Sequence, residues 1–551
     1  MNYRNFFIPF IIVLISLIPL LDLFHPGLPI THDGEDHVIR VANFYKNLVE
    51  GNIIPRWSQD LNYGFGHPVL MFFYPFPYYA ASAFHILGFS FIDSTKLFFE
   101  ITYILSGIFM FLFVRKLYGE TAGIFSSVLY LLAPYRLVDL YVRGAIGEHA
   151  AFLFLPLILY FFIKLSKCFA LGSFIGASLS IAGLVLTHNA VSLMFLPFIV
   201  LYAGYLVLVS KVKKPLIFTM IWIMLIGFGT SAFFWVPAVF EAKYTLRSIV
   251  TSGEYSTRFI KDITSFIYGH WNYGGSGEFS VQIGIVHLLS ALSALVVLIF
   301  FPKKNKPVTL IAISLLLYSL VALFLMLPIS SFIWQKFIIL QSFQFPWRFL
   351  SVIVFTTSLL GGVFIYIIPT RYRIFAAVFL GIALFLISKD YWHAKGYLVK
   401  NDDYFTGVNR TTTNDTGESS PIWSVRFMEY KPKANMEVID GGAMISTTKR
   451  TSTYHAYRIT AVEKSRIREN TLYFPGWEVF VDSKKKDIEF QDPQNRGLIT
   501  FIVEKGKHTV DVRFKETKLR LFSNVLSLFS ILVIVAFILK SSFYDKKIST
   551  K

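Results

Sequence analysis

The chain has almost no cysteine. Cys168 is the only one in 551 residues, which excludes an internal disulfide framework and a zinc site built on thiolates. Acidic residues are also scarce, 34 against 52 lysines and arginines, for a formal net charge of +18. A GxxxxGK[ST] phosphate loop, a dinucleotide fingerprint, HExxH and GxSxG are all missing, so nothing supports soluble nucleotide chemistry. No long-period repeat and no low-complexity tract breaks the chain.

Apolar side chains are what it has. Hydrophobic residues make up 54% of the sequence, Phe alone numbers 58, and the mean hydropathy is +0.56. Runs able to span roughly 30 Å of hydrocarbon fall at 6–21, 96–114, 121–137, 149–163, 169–187, 190–209, 215–237, 281–301, 308–328, 347–368, 371–388 and 519–539. The first follows Arg4 with no small-residue cleavage site and reads as a retained signal anchor. Much of the positive charge sits in short turns between these runs, at Arg115, Lys116, Lys164, Lys167, Lys211, Lys213, Lys214, Lys303, Lys304, Lys306, Arg371 and Arg373. That is the positive-inside pattern, so the charge reports topology and not nucleic acid. It places both termini in the cytoplasm of a multi-pass plasma-membrane protein. A further apolar stretch, 69–91, carries FFYPFPYY. If it crossed, the internal basic turns would flip outside, so it reads as a re-entrant or interfacial segment on the outer surface.

With that parity the outer face receives residues 22–95, 138–148, 187–190, 238–280, 329–346 and 389–518. The last region alternates in short segments, YHAYRITAVE, WEVFVDS, GLITFIVEKG and HTVDVRFKE, broken by turn residues. It predicts a β-rich extracytoplasmic domain, a small sandwich, with a flexible loop near 400–420. The expected fold is therefore an α-helical polytopic membrane protein of about twelve spans. Its helical domain covers 1–388, the β-rich domain 389–518, and a last helix with a basic tail 519–551.

The densest polar motif is THDGEDH, residues 31–37, followed by IRVANFYK. Acids this close to a bilayer are costly unless solvated, paired or used. A carboxylate here could act as general base toward a hydroxyl or hold a divalent metal; it could equally cap the following helix, with Thr31 or Asp33 as N-cap. A second motif, YRLVDLYVRGAIGEHAAF at 135–152, crowds Arg136, Asp139, Arg143, Glu148 and His149. Arginine suits a phosphate through bidentate, charge-assisted hydrogen bonds, or it anchors to lipid headgroups with Glu148 as its ion-pair mate. Gly144 and Gly147 permit a tight turn or close approach of a ligand to the backbone. Weaker candidates are His188 and Asn189 in LTHNAVS, and His270 with Trp271 in GHWNYGG, which could stack on a sugar or stay solvated. Arg348 in QFPWRF and His67 in YGFGHP complete the set.

Four pieces, HDGEDHVIR, GNIIPRW…YGFGHPVLMFFYPFPYY, LAPYRLVDLYVRGAIGEHAAFLFLPL and THN, together with the layout of spans and loops, resemble the GT-C superfamily of integral membrane glycosyltransferases. More narrowly, they resemble the membrane proteins called 6-pyruvoyl-tetrahydropterin synthase-related, although nothing here suggests pterin chemistry. LYFPGWEVFVD and GLITFIVEKGKHTVDVRFKETKLR resemble the ends of YfhO-like GT-C proteins. The resemblance implies inverting transfer of a sugar from a polyprenyl-phosphate donor to an extracytoplasmic glycan or protein acceptor. It makes Asp33 the general base, with Asp36 its rival and Glu148 a third acid. The candidate substrate-binding residues are His37, Arg40, Tyr78, Arg143, His188, His270 and Arg348, and a divalent metal, Mg or Mn, could sit on Asp33 and Glu148. Two other classes compete: a flippase or transporter for a lipid-linked saccharide, and a non-catalytic scaffold for glycan assembly whose β domain binds glycan or a partner enzyme.

Overall fold

The computed structural model describes residues 4–273, 278–300, 306–414 and 416–549. Among these residues nine helices are long and apolar enough to cross a membrane. The chain is a multi-pass membrane protein with a separate β-rich region. Each expected span contains a helix, but not each is a full crossing. The 121–137 run is a broken pair, Glu120–Leu131 and Pro134–Arg143, bent by 48°; Pro134 opens the second piece, where its missing N–H costs nothing. The 169–187 run is the 17-residue helix Leu171–Thr187. The 281–301 run is the 16-residue helix Ile285–Phe300, next to residues outside those described. The 215–237 run divides at Ser231 into Lys213–Thr230 and Ala232–Phe240. Stretch 69–91 forms two short helices, Val69–Phe72 and Phe76–Ile86, separated near Pro75, and makes no single crossing.

Helices approach closely where side chains are small. At Gly361 an added Cβ would lie 2.2 Å from Leu129, which lets Leu350–Ile367 seat against Glu120–Leu131. Such small-residue contacts suit helices that gain no hydrophobic drive from their lipid surroundings. The last helix, Lys518–Ser549, is tied in by Arg520 Nε donating to Glu241 Oε2 at 2.7 Å, with both side chains almost fully buried.

The β region is a two-sheet sandwich. One antiparallel sheet runs in the spatial order Ala443–Arg450, Tyr454–Ala461, Gly506–Phe514, Trp477–Val481, Lys484–Lys486. The other runs Met436–Asp440, Ser465–Leu472, Leu498–Val503. Alternate residues turn inward, Tyr457, Ile459, Val479, Val510 and Val512 meeting Ile467, Ile499 and Phe501. This core does not close on itself. It takes in Trp57, Phe65, Met71 and Phe72 from the first long loop. Trp57 is wholly buried, 5.5 Å from Trp477 and 5.6 Å from Phe514 between ring centroids. Trp57→Ala is expected to cost about 3–5 kcal/mol and to loosen the sandwich from the loop. Limited proteolysis checks this, with cleavage rising between 400 and 440.

The 400–420 stretch is not a free loop. Phe405 is fully buried in the cluster with Val38, Ile39 and Phe44. Asn409 N donates to Asp60 O at 2.7 Å, and Asn62 N donates to Thr411 O at 2.8 Å. Its polar composition is spent on hydrogen bonds to the 58–64 loop.

Candidate functional site

The helix Gly34–Val49 starts inside the acidic motif, with Glu35 and Asp36 in its first turn, where the macrodipole favours acids. Capping is done by Thr31, whose Oγ1 accepts from Gly34 N at 3.1 Å. Asp33 occupies the N-cap position but makes no side-chain cap. Its carboxylate therefore stays unspent and lines a cavity of about 500 Å³. Asp36, His37 and Arg40 follow at helical spacing and line the same cavity. Glu35 faces elsewhere, accepting from Tyr404 Oη at 2.7 Å.

The second motif comes to the first through the backbone. Val138–Arg143 is a single π-helical turn; its carbonyls at Val142 and Arg143 accept from His32 N at 3.0 Å and Asp33 N at 2.8 Å. Gly144 makes this possible. Its φ is +65°, and a Cβ there would lie 2.3 Å from Thr31 Oγ1. The close approach is thus made by the acidic motif, not by a ligand. Gly147 is likewise hemmed in by Tyr74. Gly144→Ala is expected to displace the Asp33 backbone and cost about 1–3 kcal/mol, read as a lower unfolding temperature together with lost ligand affinity.

Arg143 lines the cavity, stacked 4.4 Å from the Trp347 ring centroid. Behind it lie two fully buried carboxylates. Arg143 pairs with Asp139 and donates to Glu148 Oε2 at 2.9 Å. The other Glu148 oxygen accepts from Tyr135 Oη at 2.7 Å and Ser351 Oγ at 2.6 Å. Both Glu148 oxygens are thus engaged, and the side chain stands behind the cavity lining, where it holds Arg143. Among the described residues no three His, Cys, Asp or Glu side chains converge as a metal site.

His188 and Arg348 also reach the cavity. Arg348 Nη1 donates to Phe343 O at 2.8 Å and lies over Phe345, 4.9 Å from its centroid. Tyr78 does not line it. That side chain is fully buried behind His37, its Oη 3.2 Å from His37 Nδ1. His270 is exposed and stands away from the cavity lining, and Trp271 stacks on Tyr391 at 4.4 Å instead of facing a sugar. The sequence reasoning missed Tyr74, Arg247, Glu254, Arg258 and Glu418, all in the lining. They come from loops that the charge pattern puts on one face, but no local spacing marks them.

Burial keeps three histidines in this region neutral. It lowers His67 and His188 to about 3, and holds His37 well below its usual value, helped by Arg40. The unfolded chain protonates these groups near 6.5, so between 6.5 and about 3 it binds more protons than the fold. Stability is then expected to fall by up to about 1.4 kcal/mol per pH unit per histidine below pH 6.5, with none lost above it. Unfolding temperatures at pH 7.5 and 5.5 check this, and His67→Gln is expected to flatten the slope.

Fold and cavity together define a multi-pass membrane protein whose loops enclose a charged chamber at one end of the helices. No protein-family model matches the chain. It is similar to an uncharacterized protein of Lactococcus lactis subsp. cremoris (strain MG1363), 26% identical over 341 residues. The match covers 59% of this chain and 54% of that protein, so the chain spans about half the length of the relative it matches.

Proposed function

We propose that the protein is a GT-C-type membrane glycosyltransferase of the cell envelope. It moves a sugar from a polyprenyl-phosphate donor to an extracytoplasmic glycan or protein acceptor, with inversion. One observation carries this reading. In the cavity the unspent Asp33 carboxylate shares a chamber with Arg40, Arg247, Arg258 and Arg348, none of which has a carboxylate within ion-pair distance among the described residues. A general base beside an anion-binding wall is what displacement of a phosphate by a hydroxyl needs.

In the step itself, the acceptor oxygen bonds to the anomeric carbon and passes its proton to Asp33. The bond from that carbon to the phosphate oxygen breaks, and its electron pair leaves with the phosphate. The cavity wall holds that phosphate, while Trp347 and Phe345, stacked at 5.0 Å, offer apolar surface beside it. In this reading the chain lies in the plasma membrane with cytoplasmic termini, and the β sandwich stands outside. Proteoliposomes given a polyprenyl-phosphate sugar and an acceptor test it: sugar transfer is expected, whereas lipid flipping without transfer would favour a transporter. Labelling that finds Lys211–Lys214 outside would overturn the orientation.

A further inference from the structure

Two histidines of the cavity have their protons placed by their neighbours. His188 caps the helix Asn189–Val209, its Nδ1 accepting from Val191 N at 3.2 Å. His37 Nδ1 lies 3.2 Å from Arg40 Nη1 and 3.2 Å from Tyr78 Oη. A backbone N–H and a guanidinium can only donate, so Nδ1 is the acceptor in both rings. A neutral imidazole with an accepting Nδ1 carries its proton on Nε2. Neither Nε2 has a partner among the described residues, and both rings line the cavity. Both also pack on Tyr74, at 6.5 Å for His37 and 5.2 Å for His188 between centroids. The charged groups around them are mostly cationic. Arg40 and Arg143 face His37, while Arg143 and Arg348 face His188, with Glu148 the opposing acid. A second proton on either ring is therefore disfavoured.

We propose that His37 and His188 bind the phosphate of the donor lipid as neutral hydrogen-bond donors, each through its Nε2–H. This rests on the glycosyltransferase reading of the cavity. With Nε2 protonated and Nδ1 occupied, neither ring has a lone pair for the acceptor's proton or for a metal ion. The proton then falls to a carboxylate, which singles out the acidic motif. Neutral donors also strengthen their hold as the leaving oxygen gains charge, without moving a proton of their own.

Two measurements test it on the full-length protein in nanodiscs. In the first, ¹⁵N spectra of histidine-labelled protein, assigned with His37→Gln and His188→Asn, are expected to show protonated Nε2 and bare Nδ1 for both rings between pH 6 and 8. The opposite tautomer, or an imidazolium at pH 6.5, would overturn the proposal. In the second, polyprenyl phosphate without sugar is the binding probe. His188→Asn keeps an N-cap oxygen for Val191 but loses the Nε2 donor. It is expected to bind roughly 10–100-fold more weakly with an unchanged unfolding temperature. His37→Leu is expected to fall by a similar factor, and His37→Gln, which restores an amide donor, to recover most of it. Binding by His188→Asn and His37→Leu equal to wild type would overturn the proposal whatever the transfer activity. Wild-type protein that binds the probe but transfers no sugar would instead overturn the enzymatic reading and leave the two donors standing.

Discussion

Asp33→Asn is expected to lower kcat for sugar transfer by about 10²–10⁴-fold while changing KM little. The asparagine keeps the shape and the hydrogen-bonding backbone of the site but cannot take a proton. Stability should hardly move, because the helix cap belongs to Thr31 and the Asp33 side chain caps nothing. That separation is what makes the variant informative. A fold-neutral, activity-null protein places the base at Asp33; a fold-neutral, fully active one removes it from the mechanism. Asp36→Asn is expected to cost far less in kcat, since Asp36 stands one helical turn before Arg40 and its loss alters the charge around a binding group. If only Asp36→Asn abolishes turnover, the two acids exchange roles, and a protein indifferent to both changes performs no chemistry through this motif.

The acidic half of the cavity was legible in the sequence because its residues are consecutive. Asp33, Asp36, His37 and Arg40 follow one helical face, and the period of the helix brings them together. Arg143, His188 and Arg348 stand out by residue type in their local motifs, and charge parity puts their loops on one face without saying what they touch. Arg247, Arg258, Glu254 and Glu418 carry no such signature, since only the tertiary path of two separate loops makes them neighbours. For Glu148 the sequence leaves open an acid at the site and an ion-pair mate of Arg143; the fold forms the ion pair, across a π-helical turn that no residue spacing announces. The 400–420 stretch has the composition of a loose loop, yet Phe405 and hydrogen bonds to the 58–64 loop anchor it. His270 sits in a glycine-punctuated loop with no register to say which way a ring points.

Removing the Arg143 guanidinium should have the largest effect on stability. Arg143→Met keeps length and apolar bulk but leaves Asp139 and Glu148, both wholly buried, without their cation. Asp139 Oδ2 already lacks a hydrogen-bond partner, and of the nearby cations only the buried Arg136 would remain to it. Breaking a buried pair in this way costs about 3–5 kcal/mol, a large share of the roughly 5–15 kcal/mol that keeps a typical protein folded. Asp33 should suffer as well, because its backbone N–H is held by the Arg143 carbonyl on the same turn. Neutralising the acids too, as Arg143→Met with Asp139→Asn and Glu148→Gln, removes the stranded charges. The triple variant is expected to recover much of the unfolding temperature but not the affinity for polyprenyl phosphate. Stability and affinity returning together would mean that Arg143 serves only its two carboxylates. Stability returning alone would mean that those carboxylates exist to hold a cation at the cavity wall.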